Sequence, residues 1–324
     1  MRFRRNPLPL PLKKLLPLVV VLVHLVTGFA YAEAPRQLRV MTFNSWHEWT
    51  HIDGGFSKAR KAILAADVDI IGLQESSPAV AQRMADELGW HRAEAGTGSV
   101  QILSRYPIEE TFTSDGLTSD RFIAARIQVS QEPPLDVLFC DTHLDYEYYG
   151  PYAAYVSGAS PEDVLAENAK SQRVPQIRAV LETMKPWIET SDTTPVILTG
   201  DFNVPSHLDW TAATATSHGG VGPVPWPESL LVERAGLRDS FRVAHPDPAA
   251  TPGNTWSTIH KEDEPQDRID FIYFAGNRLN VVDSRLYATD VEVTIGKWGT
   301  DETPVRANSW PSDHFAVITT FELR

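Results

Sequence analysis

The apolar residues of this 324-residue chain fall into short, largely β-branched runs with breaks between them, a spacing that suits strands better than long helices. The runs are LRVMTF (Leu38–Phe43), DIIGL (Asp69–Leu73), VQILS (Val100–Ser104), FIAARIQV (Phe122–Val129), VLFC (Val137–Cys140), VILT (Val196–Thr199), FIYF (Phe271–Phe274) and AVITTF (Ala316–Phe321). Helical patterns interrupt them. In Ser77–Gly89, Ser77 is a natural N-cap, Pro78 suits the first turn, Val80, Met84 and Leu88 share a face, and Gly89 stops the helix. Phe56–Ala66 behaves alike, with Ser57 as cap and Phe56, Ala59, Ile63 and Ala66 inward. A third helix is expected over Gln176–Met184, bracketed by Pro175 and Pro186. Strands outnumber helices, and the helices are dispersed among them. That order predicts one layered α/β domain with much mixed or antiparallel sheet.

Residues 1–32 read as a leader rather than as fold. Arg2, Arg4, Arg5, Lys13 and Lys14 precede the apolar run Leu15–Ala30, and Ala30 and Ala32 supply small residues before a cut after Ala32. The run is short for a membrane span and contains His24, so export with cleavage is expected, to a periplasmic or extracellular location. The domain would then occupy residues 33–324, soluble, without a retained span, and as a monomer. Loss of the leader's five basic residues takes the formal charge from −13 to −18. A chain this acidic is poorly suited to gripping a polyanion at many phosphates, although bound cations can reverse the sign locally. The single cysteine, Cys140, excludes an internal disulfide and reads as a small buried hydrophobe. Stability must come from a sizeable core, which this length permits.

Following each strand to its end brings out the chemistry. LRVMTF ends in Asn44, and DIIGL in Gln74 and Glu75. VLFCDT runs into His143 and Asp145, and VILTG into Asp201 and Asn203. Asp270 stands just before FIYF, and Asp313 and His314 just before AVITTF. Alternate residues of an extended segment point the same way, so Asp201 and Asn203 can present a carboxylate and an amide side by side. Each residue has a plainer explanation on its own, since Asn and Asp favour turns and a carboxylate is content in solvent. Six strand ends offering complementary amides, carboxylates and imidazoles form a constellation.

The segments MTFN, IIGLQE, DTHLD, LTGDFNVPS, RIDFIYF and SDHFAV, in this order from Met41 to Val317, make the chain resemble the endonuclease/exonuclease/phosphatase superfamily. The resemblance implies a four-layer α/β sandwich, two facing mixed β-sheets flanked by helices, with a divalent-metal site at one edge. It implies hydrolysis of a phosphodiester or phosphomonoester by in-line attack of water. By position, Glu75 would be the main metal ligand, helped by Asn44 and Asp313. Asp201 would orient or activate the water, Asn203 would hold a phosphate oxygen, Asp270 and His314 would form a carboxylate–imidazole pair, and His143 would be the second histidine. Hard oxygen donors suit Mg²⁺, with Mn²⁺ or Ca²⁺ as alternatives, better than Zn²⁺. Phosphoryl transfer needs alignment and charge neutralisation above all, and histidine can move a proton near neutral pH.

Two long excursions, Asp145–Asn168, rich in tyrosine, and His207–Ser229, rich in Gly, Pro and Trp, are expected to wall the site. Asp145, His207 and Trp210 are the candidates for contact with substrate, and His47, Glu48 and Trp49 follow Asn44 closely enough to join them. The acidic charge and aromatic excursions favour a small or lipid-derived phosphate ester, with a secreted endonuclease or deoxyribonuclease as the alternative. A lipid-headgroup enzyme would need an exposed apolar hairpin, for which the segment around Trp226 is the candidate. A binding module that has lost catalysis would be expected to lack one of Glu75, His143, Asp201 or His314, and all four are present.

Overall fold

The computed structural model describes residues 36–324 except 95–97, 115–116, 118–120, 263 and 292–302. The leader expected over residues 1–32 lies outside the described residues. Twelve strands are described in chain order: β1 (Gln37–Asn44), β2 (Ile70–Gln74), β3 (His91–Arg92), β4 (Gln101–Ser104), β5 (Ile108–Phe112), β6 (Phe122–Gln131), β7 (Pro134–His143), β8 (Val196–Asp201), β9 (Arg238–Asp239), β10 (Asp270–Ala275), β11 (Leu279–Tyr287) and β12 (Ala316–Leu323). They form two six-stranded mixed sheets, ordered β11-β12-β1-β2-β4-β3 and β5-β6-β7-β8-β10-β9. Each sheet has one parallel pair, β1–β2 or β7–β8, inside otherwise antiparallel neighbours.

Why the sheets face each other follows from the period of two along β1. Leu38 and Val40 enter the core between the sheets, whereas Met41 and Phe43 point outward, under the helices Gly55–Ala66 and Pro78–Leu88. On the other sheet, Ile197 faces the partner sheet, while Val196 and Leu198 pack against Ile177, Val180 and Met184 of the helix Arg173–Glu189. The layers are therefore helix, sheet, sheet, helix, as the strand pattern and the family resemblance imply. Cys140 is buried in the outer core of the second sheet.

Local details depart from expectation where the backbone outranks the side chain. Ser77 does cap Pro78–Leu88, accepting from Val80 N–H, with Gly89 as the left-handed stop. Ser57, however, lies inside its helix, which starts at Gly55 after a left-handed Gly54. The helix expected over Gln176–Met184 runs from Arg173 to Glu189. Pro175 sits in its first turn, where a missing N–H is harmless, and Pro186 lies in its last turn, where few hydrogen bonds remain to be lost. Strands β5 and β11 and the helices Pro161–Asn168 and Pro227–Arg234 were not legible as apolar runs, because their exposed faces dilute the pattern.

A polar layer joins the sheets beneath one end. Gln74 Nε2 donates to Thr42 Oγ1 at 3.1 Å and, across the gap, to Asp141 Oδ1 at 2.7 Å, which also accepts from Thr199 Oγ1 at 2.8 Å. Burial pushes the Asp141 carboxyl well above the usual carboxylate range. Gly72 makes room for this layer, since a Cβ there would lie 2.3 Å from Thr199 Oγ1 and 2.4 Å from Asp141 Oδ1.

Candidate active site

Strand register assembles the site. The parallel pairing of β7 with β8 puts His143 opposite Asp201, and the antiparallel pairing of β8 with β10 puts Asp201 opposite Asp270. Residues opposite one another point to the same face, so three reactive side chains stand in a row at one sheet end. From the facing sheet, Asn44 donates through Nδ2 to Asp201 Oδ2 at 2.9 Å and to Glu75 Oε1 at 3.1 Å. Its Oδ1 accepts Trp46 N–H at 2.9 Å, which fixes the amide with its nitrogen toward the carboxylates. Asn44 is thus a strut between the sheets.

Glu75 is turned back over the end of β2 by a left-handed backbone, φ 56°. Beside it, Trp46, His47, Glu48 and Trp49 form one left-handed turn, with φ from 43° to 62°. Non-glycine residues pay roughly 1–2 kcal/mol each for this conformation, so the surroundings must impose it. They do so through Ser45 N–H to Gln74 O at 3.0 Å, Glu48 N–H to Glu75 O at 3.1 Å, and His47 N–H to Glu75 Oε2 at 2.8 Å. Trp49 anchors the turn by burial in the outer core. The strain is concentrated where the Glu75 carboxylate is aimed.

The final member arrives on the loop before β12. Ser312 Oγ donates to Asn44 O at 2.7 Å, and Trp310 Nε1 donates to His314 O at 2.6 Å, holding the loop against both β1 and itself. His314 Nδ1 lies 2.9 Å from Asp270 Oδ2, leaving Nε2 3.8 Å from Asp201 Oδ2 and from Asp313 Oδ1. His143 Nε2 is 3.6 Å from Asp201 Oδ2. Asn203 holds Asp201 Oδ1 through its backbone N–H at 2.9 Å and donates through Nδ2 to Leu144 O at 3.1 Å, with a second amide hydrogen to spare.

Electrostatics separate these groups. Burial pushes the Asp201 carboxyl up to about 7, with Asp270 adding repulsion, and burial pushes Asp313 up to about 6. Burial alone would lower His314, yet Asp270, Asp313 and Asp201 together raise it well above the ordinary imidazole value. His143 goes the other way, to about 4, chiefly by burial. Burial of Glu75 opposes its ionisation, but His143, His314 and the hydrogen bonds from His47 and Asn44 outweigh it and hold the carboxyl below its usual range. The two imidazoles are thus shifted in opposite directions.

Asp201, Asp270 and His314 offer ligand atoms within 4.8 Å of one another, and all three are buried. Asp313 Oδ1 is also buried with no hydrogen-bond partner among the described residues, while Oδ2 accepts from Trp256 Nε1 at 3.1 Å. A carboxylate oxygen left bare beside a second carboxylate, Glu75, on the same cleft is the arrangement that a hard cation would satisfy.

These groups open into a cleft of about 990 Å³ whose described lining includes Glu75, His143, Asp201, Asn203, Asp313 and His314, with Trp46, His47, Trp256 and several tyrosines as walls. Glu48, instead of lining it, caps the Pro78–Leu88 helix region through Ser77 N–H at 2.9 Å. The three residues expected to contact substrate lie elsewhere. Asp145 is buried below the wall and accepts from Gln172 and Glu147 N–H at 2.8 and 3.2 Å. His207 is tied to Ser229 and Glu233 in a separate groove. Trp210 is fully buried, stacked on His218 and bonded to Asp267. The segment that carries Trp210 is apolar enough to be drawn into the core with Val221 and Val224, and Trp226, the candidate for an exposed hairpin, is buried with it. The tyrosine-rich excursion does form a wall, through Tyr146, Tyr148, Tyr149 and Tyr152. Trp46 and Trp256 join the cleft without a signal in the sequence, for Trp256 lies in an irregular segment between strand runs.

A family model described as the endonuclease/exonuclease/phosphatase family matches residues 41–314. An uncharacterized protein of Caenorhabditis elegans, F14F9.5, is 32% identical over 303 residues, covering 88% of this chain and 91% of the relative. Among solved structures, truncated Caenorhabditis elegans TDP2 is similar at a TM-score of 0.55 and 18% identity, over 88% of this chain and 97% of that one. The human Nocturnin catalytic domain is similar at 0.55 and 18%, over 89% and 95%. An endonuclease/exonuclease/phosphatase family protein from Bacteroides thetaiotaomicron is similar at 0.53 and 17%, over 90% and 100%.

Proposed function

The chain belongs to the endonuclease/exonuclease/phosphatase family and is a hydrolase of phosphate ester bonds; within that class we propose that it is an exported Mg²⁺-dependent enzyme that cleaves a small or lipid-derived ester by in-line attack of water. The observation that carries the reaction is the row His143–Asp201–Asp270 meeting Glu75, Asp313 and His314 in one cleft.

In this reading Glu75 and Asp313 Oδ1, which lacks a hydrogen-bond partner among the described residues, would hold the cation, and Asn44 positions Glu75 instead of ligating through its oxygen. The Asp201–Asp270–His314 group handles protons, because His314 Nδ1 is already engaged by Asp270 and a charged imidazole is a poor ligand. When bound, the cation supplies neutralisation of charge on the phosphoryl oxygens. Asp201, raised toward neutrality and held at both oxygens by Asn44 and Asn203, orients a water and accepts its proton. His314 Nε2–H faces the same space and donates to the leaving oxygen. Asn203 offers its second amide hydrogen to a phosphoryl oxygen.

A small substrate is favoured by the lining, which among the described residues contains no lysine or arginine and is largely aromatic. The basic, apolar and small-residue pattern of residues 1–32 supports export. The test uses residues 33–324 with Mg²⁺ or Mn²⁺ on bis-p-nitrophenyl phosphate, p-nitrophenyl phosphate and supercoiled plasmid, with His314→Ala as control. Hydrolysis of the small esters with plasmid left intact is expected, and rapid nicking of plasmid by the wild type alone would replace this reading with an endonuclease.

A further inference from the structure

We propose that the aromatic arm of the cleft is a subsite for an organic ammonium group on the substrate, an inference that rests on the phosphoesterase reading above. The arm is built from Tyr146, Tyr148, Tyr149, Tyr152 and Trp256, with Glu167 among them. Tyr149 meets Tyr152 at 5.3 Å and 79°, and meets Trp256 at 5.8 Å and 85°, so neighbouring rings stand as walls at right angles. Tyr146, Tyr148 and Tyr152 are 67%, 48% and 46% exposed, so core packing does not account for them.

Ring faces are the negative part of an aromatic side chain and attract cations. Here they are enriched further. Tyr149 OH donates to the buried Asp267 Oδ2 at 2.8 Å and Tyr152 OH to Glu264 Oε2 at 2.7 Å, and a phenol hydrogen-bonded to a carboxylate gains electron density in its ring. Glu167 adds a carboxylate, which is paired with the exposed Lys170 through Oε2. The lining contains no described lysine or arginine; of the positive groups nearby, His314 belongs to the reacting centre, Lys170 is paired with Glu167, and the buried Arg173 donates to the carbonyls of Asp145, Glu147 and Tyr148. An acyl chain would find few aliphatic side chains here, chiefly Val156, Ala153 and Ile269. Trp256 links the arm to the reacting centre, touching Asp313 through Nε1 at 3.1 Å, so one substrate can fill both.

The experiment compares p-nitrophenyl phosphocholine with p-nitrophenyl 3,3-dimethylbutyl phosphate, which have the same leaving group and shape but differ by one positive charge. Bis-p-nitrophenyl phosphate, a diester anion without an ammonium group, serves as the reference. For the wild type kcat/KM on the choline ester should exceed that on its neutral isostere by about tenfold, the scale of a partly desolvated cation–π contact. Tyr152→Leu and Glu167→Gln, both at partly exposed positions, should each lower that ratio toward one. A wild-type ratio near one, with the reference ester hydrolysed, overturns the subsite and leaves the hydrolase intact. A preference that survives both substitutions overturns it equally. Absence of turnover on all three esters removes the subsite together with the reading beneath it.

Discussion

His314 is held at Nδ1 by Asp270 and faces Asp201 through Nε2, so in the proposed mechanism removing its ring would delete the proton carrier while leaving the β8–β10 pairing untouched. His314→Ala should lower kcat/KM by about a hundredfold or more with an unchanged circular-dichroism spectrum. Near-normal turnover would remove His314 from the reaction. Trp256 tests a different residue-level claim. Its Nε1–H fixes Asp313 Oδ2 and so aims Oδ1, and Trp256→Phe keeps most of the ring while losing that bond. The Mg²⁺ concentration for half-maximal activity should rise by about tenfold, as is usual when a ligand loses its supporting hydrogen bond. An unchanged metal titration would take Asp313 out of the cation site.

At the scale of elements, the site depends on two sheets keeping one register, and the polar layer of Thr42, Gln74, Asp141 and Thr199 sits where they meet. Gly72 is the place to disturb it, because both atoms a Cβ would strike are buried and hydrogen-bonded. Gly72→Ala should cost about 1–3 kcal/mol, read as a lowered midpoint in urea, through overpacking between sheets. A wild-type midpoint would mean that the sheets can part without loss. The left-handed turn Trp46–Trp49 belongs to this scale too. No residue in it favours that conformation, and it persists because Glu75, Gln74 and the outer core hold it from three sides.

For the whole molecule, the cluster of carboxylates at the cleft floor predicts that a bound divalent ion stabilises the fold. EDTA should abolish activity, and Mg²⁺ in excess should restore it and raise the melting temperature. A chelator-insensitive enzyme would dismiss the metal. Away from the cleft, His218 is stacked on Trp210 at 4.2 Å, and burial lowers its pKa to about 4. Unfolding lets it take a proton near its ordinary value of 6.5, which the folded state refuses until about 4. Its contribution is therefore full above pH 6.5 and is lost as pH falls toward 4. Asp267, raised by burial to about 6, acts in the opposite direction over part of that window. His218→Phe retains a stacked ring without the titration, so its melting temperature should fall less than that of the wild type between pH 6.5 and 4. Parallel curves for the two proteins would contradict the assignment.

The amino-acid sequence by itself determined eight of the twelve described strands, the layered α/β class and the strand-end residues Asn44, Glu75, His143, Asp201, Asn203, Asp270, Asp313 and His314. These are local properties: apolar period sets a strand, and polarity at its end shows in the next residue. Only the tertiary structure decided who stands beside whom. Register put His143, Asp201 and Asp270 in one row, and sheet-on-sheet packing brought Asn44 across to Asp201. It also sorted the aromatic residues, sending Trp210 and Trp226 to the core and Trp46, Trp256 and the tyrosines of residues 146–152 to the cleft. An aromatic ring gains free energy by burial in a core or in a binding wall alike, so its type and position in the chain leave the choice open. Which surface closes over it is settled by partners far away in sequence.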